Sequence, residues 1–258
     1  MSATRSRHIP GKSASPPLRG LIPLAVLLVV WQLIATYNYS PFFPPPSRWW
    51  DALTVLAAKG VLVPAIATTV TTFLIALVIA SLLGVILGFL VGSTARADRL
   101  LGPSFEFARA TPAGALVPVA VLVIGYTLSM TLTVVVFAAI WPVILATRAA
   151  AKTIRIERLE AAKIMELGRF DTFRKVTLPS LMPNILLGIQ LAAPLALIIV
   201  LVVETITQVS GIGKQLGLAQ QGFQSAAAFG LVAVTGIIGL IVNLGVSWLG
   251  RLTRHYEA

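Results

Sequence analysis

Apolar residues arrive in six runs separated by polar connections: Leu21 to about Tyr37, Val61 to Ser93, Pro112 to Tyr126, Met130 to about Ala146, Ile185 to Ile206, and Ala226 to about Leu249. Runs of this kind approach the ~20 residues with which a helix crosses a ~30 Å hydrocarbon layer. The first run could mimic the apolar core of a signal peptide, but no small-residue cleavage site follows it, so it reads as a retained span. Val61 to Ser93 carries no charge. As one helix it would reach about 50 Å, so Pro64 is expected to bend its start and leave a span over roughly 67–93. Gly84, Gly88 and Gly92 share one face at four-residue spacing. That suits close approach by a second helix, the alternative being a role toward a solute. The third run is short and interrupted by Pro112, Gly114, Pro118 and Gly125. Broken segments of this kind often line a solute path, and kinking for packing alone is the alternative. The pattern predicts an all-α polytopic membrane protein of about six transmembrane helices, one domain over 21–258 behind a polar tail at 1–20 that reads as disordered and cytoplasmic.

Two polar connections carry more information than the rest. Pro44-Pro45-Pro46-Ser47 is a stiff extended segment, with Ser47 as an expected N-cap for a short helix to about Lys59. Trp49 and Trp50 would lie on that helix near the membrane surface, where indole rings are favoured. The second connection is a basic island from Glu160 to Pro179, EAAKIMELGRFDTFRKVTLP, within a loop at 151–182. Ile156, Leu159, Ala162 and Met165 recur every three residues there, as on one face of a short helix. The adjacent Ala161 and Ala162 leave room for another protein's backbone, and Leu178-Pro179, with Pro183 behind it, is expected to break the chain and start a new helix.

Composition agrees with a membrane protein: the chain is 57% apolar and 11% charged, with a mean hydropathy of +0.91, against about 25% charged residues in soluble domains. The net charge of +11 would suit nucleic acid, but its distribution argues otherwise. With both ends cytoplasmic, seventeen of the twenty Lys and Arg residues fall in the inner stretches, leaving only Arg48, Lys59 and Lys214 outside. The positive-inside rule therefore puts the Glu160 island in the cytoplasm and accounts for the basic excess. With no cysteine, and with His8 and His255 both in the tails, neither a disulfide nor a metal or histidine-based catalytic site is expected. No G-x-x-x-x-G-K-[ST] occurs; Gly211-Ile212-Gly213-Lys214 follows Gln208 where that motif needs glycine, and reads as an outer turn. Glu204 is the one acid in or near a predicted span. It faces either a water-filled path or gate, or a hydrogen-bonded structural environment at the outer surface.

The Glu160–Pro179 island resembles the "EAA" loop of the membrane subunits of ATP-binding-cassette importers, with Phe173 where an aromatic is usual. One position departs: the family's turn glycine falls at Glu166, and the nearest glycine is Gly168. FFPPPSRWWDAL resembles the P-S-P-x-x-x-W signature of the nitrate, sulfonate and taurine group. ARATPAGALVPVAVLVIG is similar to that group's third span, with Leu116 and Val123 replacing its tryptophans. The resemblance implies a type I importer permease of the cell inner membrane whose loop forms a coupling helix. It implies no catalytic residue and no cofactor in this chain, with ATP and Mg held by two partner ATPase subunits. It also implies a second permease subunit, identical or paralogous, and an extracytoplasmic solute-binding protein. Glu160, Ala161, Ala162, Met165, Gly168 and Pro179 would serve ATPase docking; Pro118, Gln190 and Glu204 would serve the path. The group's sulfonate and nitrate carriers commonly have arginine where this chain has Gln190 and tryptophan where it has Leu197. The absence of a cation favours a neutral, aromatic or cationic solute, such as a pyrimidine precursor or an amine. A transporter driven by an ion gradient, which needs a buried titratable cluster, and a non-transporting scaffold are the rival readings.

Overall fold

The structure, a computed structural model, describes residues 21–38, 40–154 and 156–254; the tail expected at 1–20 lies outside them. The described residues form eleven α-helices and one π turn, with no strand among them. In order these are α1 (Leu21–Tyr37), α2 (Pro46–Ala58), α3 (Leu62–Gly92), α4 (Ala95–Ala110), α5 (Ala113–Ile124), α6 (Leu128–Lys152), α7 (Ile156–Ile164) and α8 (Arg169–Thr172). The π turn (Phe173–Thr177), α9 (Leu178–Thr207), α10 (Ile212–Gln221) and α11 (Ser225–Arg254) complete the chain.

At the centre α3, α6 and α9 pack around Phe73, Val135, Ala139, Val143, Ala192 and Val200, all fully buried. Lipid gives helices no hydrophobic reason to associate, so contact depends on shape. The glycines supply it. A Cβ on Gly84 would stand 2.7 Å from Cβ of Val143, one on Gly88 2.7 Å from the Ile144 carbonyl, and one on Gly92 2.6 Å from the Arg148 carbonyl. From the other side, a Cβ on Gly188 of α9 would lie 2.9 Å from Cα of Val143. Two helices thus approach the α6 backbone at one level, which settles the three α3 glycines as packing residues.

Four helical stretches are long and apolar enough to cross a membrane: Leu62–Gly92, Leu128–Lys152, Arg169–Thr207 and Ser225–Trp248. Helices α4 and α5 make a fifth only as a pair, bent by 89° at Thr111 and Pro112. The 17 residues of α1 reach about 26 Å, so the expected six spans are reached only by counting both the bent pair and this short helix.

Three local expectations are corrected. Pro64 does not bend the second span away from its start, because α3 begins at Leu62 and places Pro64 in the first turn, where no intrahelical N–H is needed. Ser47 is not an N-cap. Pro45 holds that place, while Ser47 lies inside the first turn and donates its N–H to Oε1 of Gln32 in α1 at 3.0 Å. The cap is therefore supplied from another helix, and Trp31, Trp49 and Phe229 close the same corner with ring centroids 5.0–5.4 Å apart. Nor do Pro179 and Pro183 break the chain. Helix continues from Arg169 to Thr207 over 39 residues, because the π turn closes a wider loop, with the Leu178 N–H reaching the Phe173 carbonyl. That widening makes room for a proline ring whose clash is with the carbonyl four residues back.

Replacing Gly88 by leucine forces α3 from α6 and is expected to destabilise the protein by at least about 1–3 kcal/mol, the usual range for overpacking. Thermal unfolding in detergent checks this. Gly236→Ala, at a site with nothing within 4 Å of the added carbon, should leave the transition within about 0.5 kcal/mol, as surface changes do.

Candidate functional site

The sequence candidates separate to opposite ends of the helix bundle. One end carries a knob made of α7, α8 and the π turn. α7 closes in a Schellman arrangement: the Leu167 N–H reaches the Ala162 carbonyl and the Glu166 N–H the Lys163 carbonyl, both at 3.0 Å. Glu166 sits at the left-handed position with φ 52°. The expected turn thus falls at residue 166 despite the missing glycine, and Gly168 has an ordinary φ of −61°.

The same closure divides the two alanines. Ala162, three positions before the helix end, is turned inward and 2% exposed, under Leu167 in the register where an apolar contact accompanies this motif. Ala161 and Glu160 face outward, as do Gly168 and Pro179. Beside Ala161, Ile164, Met165 and Phe170 are 83%, 71% and 74% exposed. Phe173 has the opposite role, packing edge-on against Phe89 of α3 with centroids 5.5 Å apart. Arg158 donates from Nη1 to Oγ of Ser180 at 3.0 Å, tying α7 to the start of α9. At this end Asp98 accepts from Nε of Arg148 and Nζ of Lys152, both at 2.6 Å, fastening α4 to α6. The Arg148 hydrogen bond, then that of Lys152, holds the Asp98 carboxyl below its usual range. The tie is therefore complete at neutral pH and is lost only as pH falls through that lowered value.

At the other end a cleft of about 500 Å³ opens between α3, α6 and the end of α9. Glu204 lies on its wall, 1% exposed. Its carboxyl oxygens accept from Oγ1 of Thr69 at 2.8 and 3.0 Å, and Oε2 accepts from the Gly213 N–H at 2.9 Å. Thr69 in turn accepts from the Ile212 N–H at 2.8 Å. The free N–H groups at the start of α10 are thus met by an acid from α9 and a hydroxyl from α3. Gly211, with φ 148°, passes so close to the carboxyl that a Cβ would overlap it. The GIGK segment is therefore a turn into a helix whose N-terminus faces this chain's own acid.

The remaining path candidates lie elsewhere. Gln190, fourteen residues and about 21 Å before Glu204 along α9, donates to Oγ of Ser247 in α11 at 2.8 Å. Pro118 is exposed on α5 and is not on the cleft wall. The sequence reading missed Thr69 and Gly211 as partners of Glu204, and Ile164 and Phe170 as exposed knob residues. Thr69 is 135 positions from Glu204 and no local pattern announces it. Ile164 and Phe170 fall outside the three-residue period of Ile156, Leu159, Ala162 and Met165.

Glu166→Gly removes the side chain from a left-handed residue, a conformation costing roughly 1–2 kcal/mol for an L residue, partly offset by glycine's greater freedom when unfolded. We expect a net gain of up to about 1 kcal/mol, read as slower hydrogen exchange over 160–170; no change in exchange would contradict the turn assignment. Gly211→Ala is expected to cost at least about 1–3 kcal/mol from strain and overlap, seen as a lowered unfolding midpoint, with no loss for Gly114→Ala, where space is open.

Residues 80–254 match the family described as "Binding-protein-dependent transport system inner membrane component". Three similar proteins extend the likeness beyond that segment. The putative aliphatic sulfonates transport permease protein SsuC of Bacillus subtilis is 25% identical over 97% of this chain and 91% of its own. The bicarbonate transport system permease protein CmpB of Synechocystis is 26% identical over 92% and 88%. The taurine transport system permease protein TauC of Escherichia coli is 28% identical over 88% and 86%. A helical membrane bundle that carries this match over most of its length is a multi-pass inner-membrane permease subunit of the ABC importers, of the nitrate, sulfonate and taurine group.

Proposed function

We propose that this chain forms half of a solute path and takes its energy from ATPase subunits that dock on the α7–α8 knob. The observation that carries this reading is the exposed apolar group Ile164, Met165 and Phe170 beside Ala161, on a polar connection rather than a lipid-facing helix. Apolar surface in such a place marks a protein contact. Two ATPase subunits, holding ATP and Mg, would each take one knob. A second permease subunit, identical or paralogous, would complete the path, and an extracytoplasmic binding protein would deliver the solute. In this arrangement both termini are cytoplasmic and α1 is the sixth span.

Transmission has a physical basis in the chain. From Arg169 the backbone stays helical to Thr207, so displacement of α8 is carried along α9 toward Glu204. Along the way α9 is packed against α3 and α6. Movement of the knob would shift the cleft relative to its opposite wall and open it alternately to the two sides. The solute belongs to the range of the relatives, sulfonates, bicarbonate or taurine, or to nitrate and pyrimidine precursors. A gradient-driven carrier would need a second buried ionisable group near Glu204, and the cleft wall presents none.

Ala162 is inside the protein, so changes there report on folding, whereas Ala161 tests docking. Ala161→Arg is expected to abolish ATP-driven uptake in proteoliposomes, by tenfold or more, while the protein remains inserted and its unfolding midpoint is retained. Normal uptake by that variant would contradict the docking role, and uptake driven by an ion gradient without ATP would replace the reading with a secondary transporter.

A further inference from the structure

Helix α4 lifts two charges into the bundle. Sequence alone groups Arg109 with the inner polar stretches, but α4 climbs along α6 instead. Asp98 meets Arg148 and Lys152 at the basic end of α6, and two turns later Phe105 packs edge-on against Trp141, with ring centroids 5.8 Å apart. Trp141 is near the middle of α6 (Leu128–Lys152). Ala108 borders the same apolar groove as Phe137 of α6 and Ile79 of α3. Glu106 and Arg109 therefore stand at mid-height of the bundle, in the first half of the bent span that α4 forms with α5. Positions two apart on a helix lie on opposite flanks, so Glu106 points away from the groove that Ala108 lines.

At this height Nη2 of Arg109 donates to Oε2 of Glu106 at 2.5 Å, and the two side chains are 49% and 54% exposed. Both belong to α4, so the pair fastens no helix to another, unlike Asp98, whose two oxygens are each taken by a cation of α6. It is also only half used. The other N–H groups of Arg109 and Oε1 of Glu106 have no hydrogen-bond partner among the described residues. Open charges at the middle of a bilayer are too costly to face hydrocarbon, and they mark a water-filled cavity or a protein contact.

We infer that Arg109 is a station for an oxyanion on the solute path, with Glu106 as the internal counter-ion that holds the guanidinium while the station is empty. The inference rests on the importer reading and supplies a residue for the solute range given there, in which sulfonates, bicarbonate and nitrate share negatively charged oxygens. A guanidinium presents its N–H groups as a planar fork that fits such a group. Competition from Glu106 keeps the hold weak, as a path requires if it is to release what it takes.

The test uses the complete complex of this chain with its ATPase subunits in nanodiscs, without binding protein, titrated with ethanesulfonate and followed by saturation-transfer NMR. Ethanesulfonate is expected to bind saturably, and at least tenfold more weakly when Arg109→Gln and Glu106→Gln are combined. Glu106→Gln alone releases the guanidinium and is expected to bind at least threefold more tightly, a gain that a merely structural pair would not give. If the double variant lowers the unfolding midpoint, that gain decides. No saturable ethanesulfonate, unchanged affinity in the folded double variant, or no gain in Glu106→Gln each overturns the proposal. So does separation of the two permease subunits in the double variant, read by native mass spectrometry, which would make the pair a subunit contact. The chain has no cysteine, so Arg109→Cys reports on its surroundings: reaction with a water-soluble methanethiosulfonate is expected, and no reaction overturns the proposal. ATP-driven uptake, measured separately, reports on the importer reading, so ethanesulfonate bound at Arg109 without such uptake fails that reading alone.

Discussion

The centre of this bundle is placed by backbone contact along α6. Inside lipid, burying one more leucine gains little, because hydrocarbon surrounds the helix whether or not it packs. What holds α3 and α9 to α6 is the absence of side chains at Gly84, Gly88, Gly92 and Gly188, which lets dispersion contacts form at short range over several turns. The three helices then act as one body. The knob and the polar cleft are fixed features of its two ends, and a change at one end has a stiff route to the other.

Polar groups inside this body are used as fasteners. Glu204 joins α9, α3 and α10 through its two oxygens, and Gly211 is the opening through which the chain passes close enough for that to happen. Asp98 does the corresponding work at the basic end by joining α4 to α6 through two cations. In each case one acid meets several donors, which compensates for the loss of water around it. Glu204 is therefore a structural residue and a cleft residue at once.

The knob shows a different compromise. A glutamate in the left-handed position at residue 166 closes the same turn that a glycine would close at lower cost. The closure survives because two backbone hydrogen bonds and the Phe173–Phe89 contact over-determine it. With the turn in place, Ala162 is directed inward and Ile164 and Met165 outward, so the backbone geometry of one residue decides which side chains are offered to a partner.

The sequence by itself determined the helical membrane class, the lengths of the apolar runs and the basic end, and it put the α3 glycines on one face. Each of these follows from periodicity, hydropathy or charge counted along the chain. It also located the Glu160–Pro179 knob by resemblance, but Glu166 at the family's glycine position left the turn geometry open, and the left-handed φ of 52° was decided by the structure. The tertiary structure alone decided matters that depend on residues far apart in sequence. Gln32 caps α2 in place of Ser47, Thr69 meets Glu204, and Gln190 donates to Ser247 of α11. Local rules failed at Pro64, where helix start and proline coincide, and at Pro179, where a π turn absorbs the ring. The reason is the same throughout: a one-dimensional pattern reports which face of a helix is apolar, whereas the partner of a polar group is chosen by how the helices are assembled.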